Sequence, residues 1–135
     1  MLKKAQLGKE LSVTVVNKIG ILSDISKIVS DHGINIVAVA GYAKDSEAEI
    51  MLITGDNLRA GDALRKAGYK QVKEREVVVV ELEDKPGALK HITTILEGQG
   101  IDIRHIYGTT CPGGCPATIV LSTSDNEKAL VAFRK

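Results

Sequence analysis

The 135-residue chain carries 18 Lys and Arg against 17 Asp and Glu, and only 3% of it is aromatic, with no Trp. The near-balance of charge argues against a nucleic-acid footprint, which needs a basic surplus on one face. The scarcity of rings argues against base stacking, carbohydrate platforms and large aromatic pockets. No apolar run approaches the length that spans a bilayer, so neither nucleic acid nor membrane is expected as a partner.

Met1 to Glu10 has lysines but no apolar core and no small-residue cleavage pattern, so it does not read as a secretory signal. A cytoplasmic protein is expected. From Leu11 the chain alternates: Leu11, Val13 and Val15 stand between Ser12 and Thr14, the period of a half-buried strand. A polar turn, Asn17-Lys18-Ile19-Gly20, leads into a helix whose Ile21, Leu22, Ile25, Ile28 and Val29 fall on one face. Gly33 stops it, as a residue just past a helix C-terminus. A strand from Ile34 to Tyr42, a loop from Ala43 to Ala48, a third strand from Glu49 to Thr54 and a second helix near Asn57 to Ala67 follow. Lys70 to Glu74 reads as a short fourth strand.

Glu76 begins the same text again. Leu11 to Gly41 lies on Val78 to Gly108 at a constant offset of 67, and ten of the 31 paired positions are identical. Val78, Val80 and Leu82 repeat the strand; Asp84-Lys85-Pro86-Gly87 repeats the turn, with Pro86 suited to a first helical turn. Ala88, Leu89, Ile92, Ile95 and Leu96 repeat the helical stripe. Gly100, a strand from Ile101 to Thr109, a loop from Thr110 to Pro116, a strand from Ala117 to Ser122 and a helix near Asn126 to Phe133 complete the copy.

A repeat of this length makes each copy a small domain, 1–75 and 76–135. The order β-α-β-β-α-β is the split βαβ of the ferredoxin-like fold, an α+β unit with an antiparallel sheet and helices on one face. Copy two lacks its last strand. The N-terminal stretch, a partner subunit or nothing at all can fill that edge, and an unpaired edge invites association. A copy of about 65 residues has a marginal core, so the copies are expected to pack or to oligomerise, most simply as a homodimer. Ile50 to Ile53 and the pair Val77 and Val79 put apolar groups on the second sheet face as well, which points to a further buried contact.

Asp-Lys-Pro-Gly-Ala-Leu at 84–89, an amphipathic helix and Gly-Ile-Asp-Ile at 100–103 resemble an ACT domain. Asn17 to Leu22 with Gly33-Ile34-Asn35-Ile36 resembles a second. The resemblance covers the chain from about Leu11, and the chain resembles the free-standing tandem ACT proteins. It implies a regulatory protein that binds an amino acid and acts on an enzyme of amino-acid metabolism. Ile19 departs from the family, which usually has Pro there.

An amino acid offers a carboxylate and an ammonium. A helix N-terminus presents unpaired N–H groups and the positive end of its dipole to the first. Gly20 and Gly87 allow close approach to the backbone, and Asn17 or Asp84 supplies an oxygen for the second. The candidate ligand residues are therefore Asn17, Lys18, Ile19, Gly20, Ile21 and Leu22 in copy one and Asp84, Lys85, Pro86, Gly87, Ala88 and Leu89 in copy two. The resemblance adds Asn35 and Asp102, which open the second strand and are expected at the same pocket. Two carboxylates in copy two, Asp84 and Asp102, would repel a ligand carboxylate, so copy one is expected to be the better site. Asn or Asp ahead of a helix is equally an ordinary N-cap residue.

Cys111-Pro-Gly-Gly-Cys115 has no counterpart in copy one. The pair can form a local disulfide, hold a soft metal with His91 or His105, or remain two free thiols in a hairpin. His32 stands at a helix C-terminus, where a cation complements the dipole. No nucleophile context, phosphate loop or dinucleotide fingerprint is present, so neither catalysis nor a cofactor is expected. The other readings are an interaction module without a ligand, working through the open sheet face, and a metal or redox sensor built on the two cysteines.

Overall fold

Residues 9–75 and 76–135 each fold as the repeat predicts, but the first eight residues join the second unit. The computed structural model describes all 135 residues, Met1–Lys135. In chain order they form β1 (Leu2–Val16), α1 (Ile21–Asp31), β2 (Ile36–Lys44), β3 (Glu47–Thr54), α2 (Asn57–Lys66), β4 (Gln71–Leu82), α3 (Ala88–Gly98), β5 (Ile103–Thr109), β6 (Ala117–Thr123) and α4 (Asn126–Phe133). The chain divides into a first unit, Lys9–Arg75, and a second, Met1–Gly8 with Glu76–Lys135. The boundary falls inside β1 and β4, so the units are not the successive halves 1–75 and 76–135. No helix is long and apolar enough to cross a membrane.

In the first unit the strand order is β2-β3-β1-β4. β1 runs antiparallel to β3 with Leu11 opposite Leu52 and Val13 opposite Ile50. Those four side chains meet Ile25 and Val29 of α1 and Leu64 of α2 in one core, the strand and helix periods each turning their apolar side the same way. In the second unit the order is β1-β4-β6-β5. Val78, Val80 and Leu82 pack on Ile92 and Leu96 of α3 and Phe133 of α4.

Both first helices stop by the same device. Gly33 (φ 70°) and Gly100 (φ 67°) are left-handed. Gly33 N–H donates to Ser30 O and Ile34 N–H to Val29 O; Gly100 N–H donates to Glu97 O and Ile101 N–H to Leu96 O. These bonds satisfy the last carbonyls of each helix. The second helices also start alike. Asp56 and Asp125 accept from Arg59 N–H and Lys128 N–H, as side-chain N-caps do. Asn57 accepts from the Thr54 hydroxyl at 2.7 Å and donates to Lys9 O; Asn126 accepts from Thr123 at 2.8 Å and donates to Glu76 O.

The edge that copy two leaves empty is filled by the start of the chain. Glu83 N–H donates to Met1 O at 2.8 Å. Ala5 belongs to the second unit's core, with Leu2 packed beside it. Arg134 donates from Nε and Nη2 to Ala5 O. Its counterpart Arg65 donates to Val72 O on the first unit's own fourth strand. Ala5 thus stands in the second unit where Val72 stands in the first.

Ala5 is 7% exposed, so Ala5→Asp buries an unpaired charge. It should lower urea stability by on the order of 3 kcal/mol, and an unchanged midpoint would show that residues 1–8 do not carry the second unit. The paired glycines Gly41 and Gly108 should differ. A Cβ on Gly108 would lie 2.6 Å from Thr118 O and run into the Ile119 side chain, whereas one on Gly41 meets Glu49 O at 3.5 Å. Urea titration should show Gly108→Ala losing about 1–3 kcal/mol and Gly41→Ala staying within about 0.5 kcal/mol.

Candidate functional site

Each first helix opens on a left-handed glycine, Gly20 at φ 87° and Gly87 at φ 88°, with no side chain capping it. The N-cap role that Asn17 and Asp84 could have taken belongs to these glycines, three residues further on. Pro86 precedes the cap Gly87 and lies outside the helix, which begins at Ala88. A residue with a Cβ is strained at such φ values. The contrast with Asp56 and Asp125 is chemical: two helices carry their own acceptor, while α1 and α3 leave first-turn N–H groups for something else.

The two turns differ in what holds them. Asn17 N–H donates to Ser46 O at 2.8 Å, and its amide reaches Asp45 O at 3.5 Å. The first unit's turn is therefore tied to the hairpin between β2 and β3. In the second unit Glu83 sits 3.2 Å from Lys85 and 3.1 Å from the Met1 amino group. The hydrogen bond from that amino group, then Lys85, holds the Glu83 carboxyl below its ordinary value. Facing this turn across a cavity of about 420 Å³ is the hairpin loop that contains Cys111 and Cys115.

A larger cavity of about 660 Å³ lies beside it, between the turn, the start of α3 and β5. It brings together Asp84, Lys85, Ala88 and Leu89 of the candidate residues. Leu82, Glu83, Ile106, Gly108, Thr109 and Ile119 join them. Of these additions, Leu82 belongs to the strand alternation and Gly108 closes the aligned repeat; the others have no motif of their own. In the first unit a cavity of about 510 Å³ includes Lys18 and Ile21 with Tyr69 and Gln71. Ile19 is wholly exposed and Leu22 half exposed at 49%. First-unit Ile21 stands where the second unit has the smaller Ala88, while Tyr42, at the position of Thr109, turns to Glu49 on the other sheet face.

Asn35 and Asp102 are not brought to the turns of their own units. Asn35 O accepts from Gly55 N–H, while Asp102 takes part in a backbone and side-chain pairing with Ser124. Both lie at the end of the sheet from which β2 and β5 start. The nine residues of β2, at about 3.3 Å each, put roughly 30 Å between that end and the turn. The helix between them carries the chain back down the unit, which separates the two positions.

Cys111 and Cys115 are bonded to each other, with Cα atoms 5.2 Å apart, within the ordinary range for a disulfide. The histidines are elsewhere: the His105 ring stacks on Tyr107, and no group of three or more His, Cys, Asp or Glu converges to hold a metal ion. His32 bonds Ile28 O through Nδ1 and accepts Arg59 at its carbonyl, which is a structural role.

A separate polar cluster marks the first unit. Glu49 accepts from Ser12 and Tyr42 at 2.7 Å and from Arg75 at 2.6 Å. Its carboxyl is held below the usual range, first by the Tyr42 hydroxyl, with Ser12 and Arg75 adding to it. Fully buried Glu10 lies 3.8 Å from the same guanidinium. Val77, Val79 and Thr118 replace Glu10, Ser12 and Glu49 in copy two.

The family model of the ACT domain matches twice, over residues 9–67 and 77–132. ACT domain-containing protein ACR1 of Arabidopsis thaliana is 28% identical over 95 residues, which cover 67% of this chain and 19% of that protein. The chain therefore spans about a fifth of that relative's length. Among solved structures, protein BT0572 from Bacteroides thetaiotaomicron superposes with a TM-score of 0.89 at 24% identity, covering 96% of this chain and 88% of that one. The regulatory subunit of aspartate kinase from Thermus thermophilus does so at 0.69 and 13% identity, covering 98% and 96%. At these identities the structural likeness is one of fold.

The Glu49 cluster sets an acid dependence. A carboxyl whose folded pKa is lowered contributes stability above its unfolded value and loses it as pH falls through the folded one. Urea titrations at falling pH below 4.5 should therefore show the wild type losing stability that Glu49→Gln does not lose. Parallel curves for the two proteins would contradict this.

Proposed function

The chain belongs to the ACT domain family, and on that premise we propose that it is a non-catalytic regulatory protein that binds an amino acid in its second unit. The observation that carries this reading is the cavity of about 660 Å³ whose wall includes Asp84 and the start of the uncapped helix α3. First-turn N–H groups and the helix dipole suit the ligand carboxylate. Asp84 suits its ammonium, and Leu82, Ala88, Leu89, Ile106 and Ile119 suit an apolar side chain.

The charge objection to copy two counted Asp84 and Asp102 together. Asp102 lies at the far end of the unit, so it adds nothing at the turn, and Lys85 offsets Glu83 there. In the first unit Asn17 is engaged with the hairpin, and Ile21 stands where the second unit has the smaller Ala88. The ligand therefore goes to the second unit, and the first is the structural twin.

Val39 and Ile106, 49% and 42% exposed, lie on β2 and β5, each an edge strand of its own unit. A second copy of the chain pairing along such an edge would cover them. A ligand that prefers one arrangement of chains over another would then pass its signal to a partner enzyme of amino-acid metabolism. A cytoplasmic location follows from that role.

The test is a thermal-shift screen against the twenty amino acids. At about 100 times its dissociation constant a ligand adds about 2.7 kcal/mol of stability, a shift of several degrees in a chain of this size. Asp84→Ala should abolish the shift and Asn17→Ala should keep it; equal losses would overturn the assignment to the second unit. No shift with any amino acid would favour the ligand-free interaction module.

A further inference from the structure

The loop that walls the second unit's turn is where the two copies diverge most. The repeat offset is 67 residues at Gly41 and Gly108 but 69 at Asn57 and Asn126. The two extra residues lie in the loop between β5 and β6, the loop that holds both cysteines of the chain. We propose that Cys111 and Cys115 form a thiol–disulfide exchange site whose state gates the pocket of the second unit. The gating half of this rests on the amino-acid-binding reading above.

Placement carries the argument. Cys111, Pro112, Gly114 and Cys115 face Glu83, Asp84 and Lys85 across the cavity of about 420 Å³. Thr109 and Thr110 just before the cysteines, and Ala117 just after, line the larger ligand cavity. The loop is thus a shared wall, and the same three turn residues border both cavities. In the first unit the equivalent gap is closed by the Asn17 hydrogen bonds to Ser46 and Asp45, which no redox change can release. In the second unit the loop is closed by a sulfur–sulfur bond, which can be opened.

Access and flexibility fit that use. Cys115 is exposed and Cys111 half-buried. A low-molecular-weight thiolate attacks Cys115 Sγ, the Cys111–Cys115 bond breaks, and Cys111 leaves as a thiolate that takes up a proton. A second thiolate attacks the sulfur of the bound small thiol. It forms the small disulfide and releases Cys115. Two electrons and two protons pass from two small thiols to the protein, and the reverse reaction with the small disulfide closes the bond again. In the closed loop Gly114 N–H donates to Cys111 O at 3.2 Å, leaving the sulfur–sulfur bond as the covalent tie. Once that tie opens, Gly113 and Gly114 let the rest of the segment move. The closed form holds the wall against the turn and favours ligand; the open form releases it.

The experiment uses the full chain, oxidised with glutathione disulfide or reduced with dithiothreitol, with thiols counted by alkylation. Hydrogen–deuterium exchange is then read over Glu83 to Leu89, and the amino-acid thermal-shift screen is run on both forms. The expected result is no free thiol in one form and two in the other. Exchange at the turn should be several-fold slower when oxidised. Any amino acid that binds should bind several-fold tighter to the oxidised form. Cys111→Ser with Cys115→Ser should behave as the reduced form in both buffers. A bond that never forms, or turn exchange identical in both forms, overturns the proposal. Equal affinity for a bound amino acid overturns the gating. If no amino acid binds either form, the ligand reading fails, while the exchange difference still decides whether the cysteine state reaches the turn.

Discussion

The second unit depends on one pairing, that of residues 1–8 with β4. Without it, β4 would be an unpaired edge and the core would lose Ala5 and Leu2. The Arg134 guanidinium on Ala5 O fixes the register, as Arg65 does on Val72 O in the first unit. The same pairing reaches the end of the second unit that carries its first turn. Glu83, whose N–H is held by Met1 O, is the first residue of the turn that borders both cavities. The position of Asp84 is therefore set by the opening residues of the chain, 83 positions away in sequence.

The two units share their scaffolding and differ at one end. Left-handed glycines close α1 and α3, aspartates cap α2 and α4, and the Thr–Asn pair recurs in the same geometry. These features satisfy backbone groups that any such unit exposes. The differences cluster around the first turn: Asn17 against Asp84, Ile21 against Ala88, Tyr42 against Thr109, and a hydrogen-bonded hairpin against a disulfide-closed one. The copies thus diverge at the first turn and keep the same scaffold elsewhere.

The repeat, both helical stripes and the glycine stops were legible because each is a local pattern with a local cause. The extension of β1 back to Leu2 was not. Lys3 and Lys4 interrupt the alternation, and the apolar residues there, Leu2, Ala5 and Leu7, do not keep a strand's period of two. Nothing near them in sequence names β4 as their partner. The helix starts are obscured for a related reason: Asn17 and Asp84 have side chains able to cap, but the left-handed glycine three residues on defines the helix start. Asn35 and Asp102 were grouped with the turns by resemblance alone, and the path of the helix between them places them a sheet's length away. Glu83, Thr109 and Ile119 carry no motif, since a cavity is a property of the assembled unit. Cys111 and Cys115 stood out as a motif, but spacing alone left their pairing open.

Synthesis on the ribosome gives the completion of the second unit by residues 1–8 a further consequence. The first unit, Lys9–Arg75, can close as soon as its own residues emerge. The segment ahead of it must wait until Arg134 is made, across a separation of 129 residues. Contacts of such range form late. Until then Met1 to Gly8 is a spare strand, open to capture by another nascent chain. The newborn protein is exposed to strand exchange between neighbours on one messenger until the second unit has emerged.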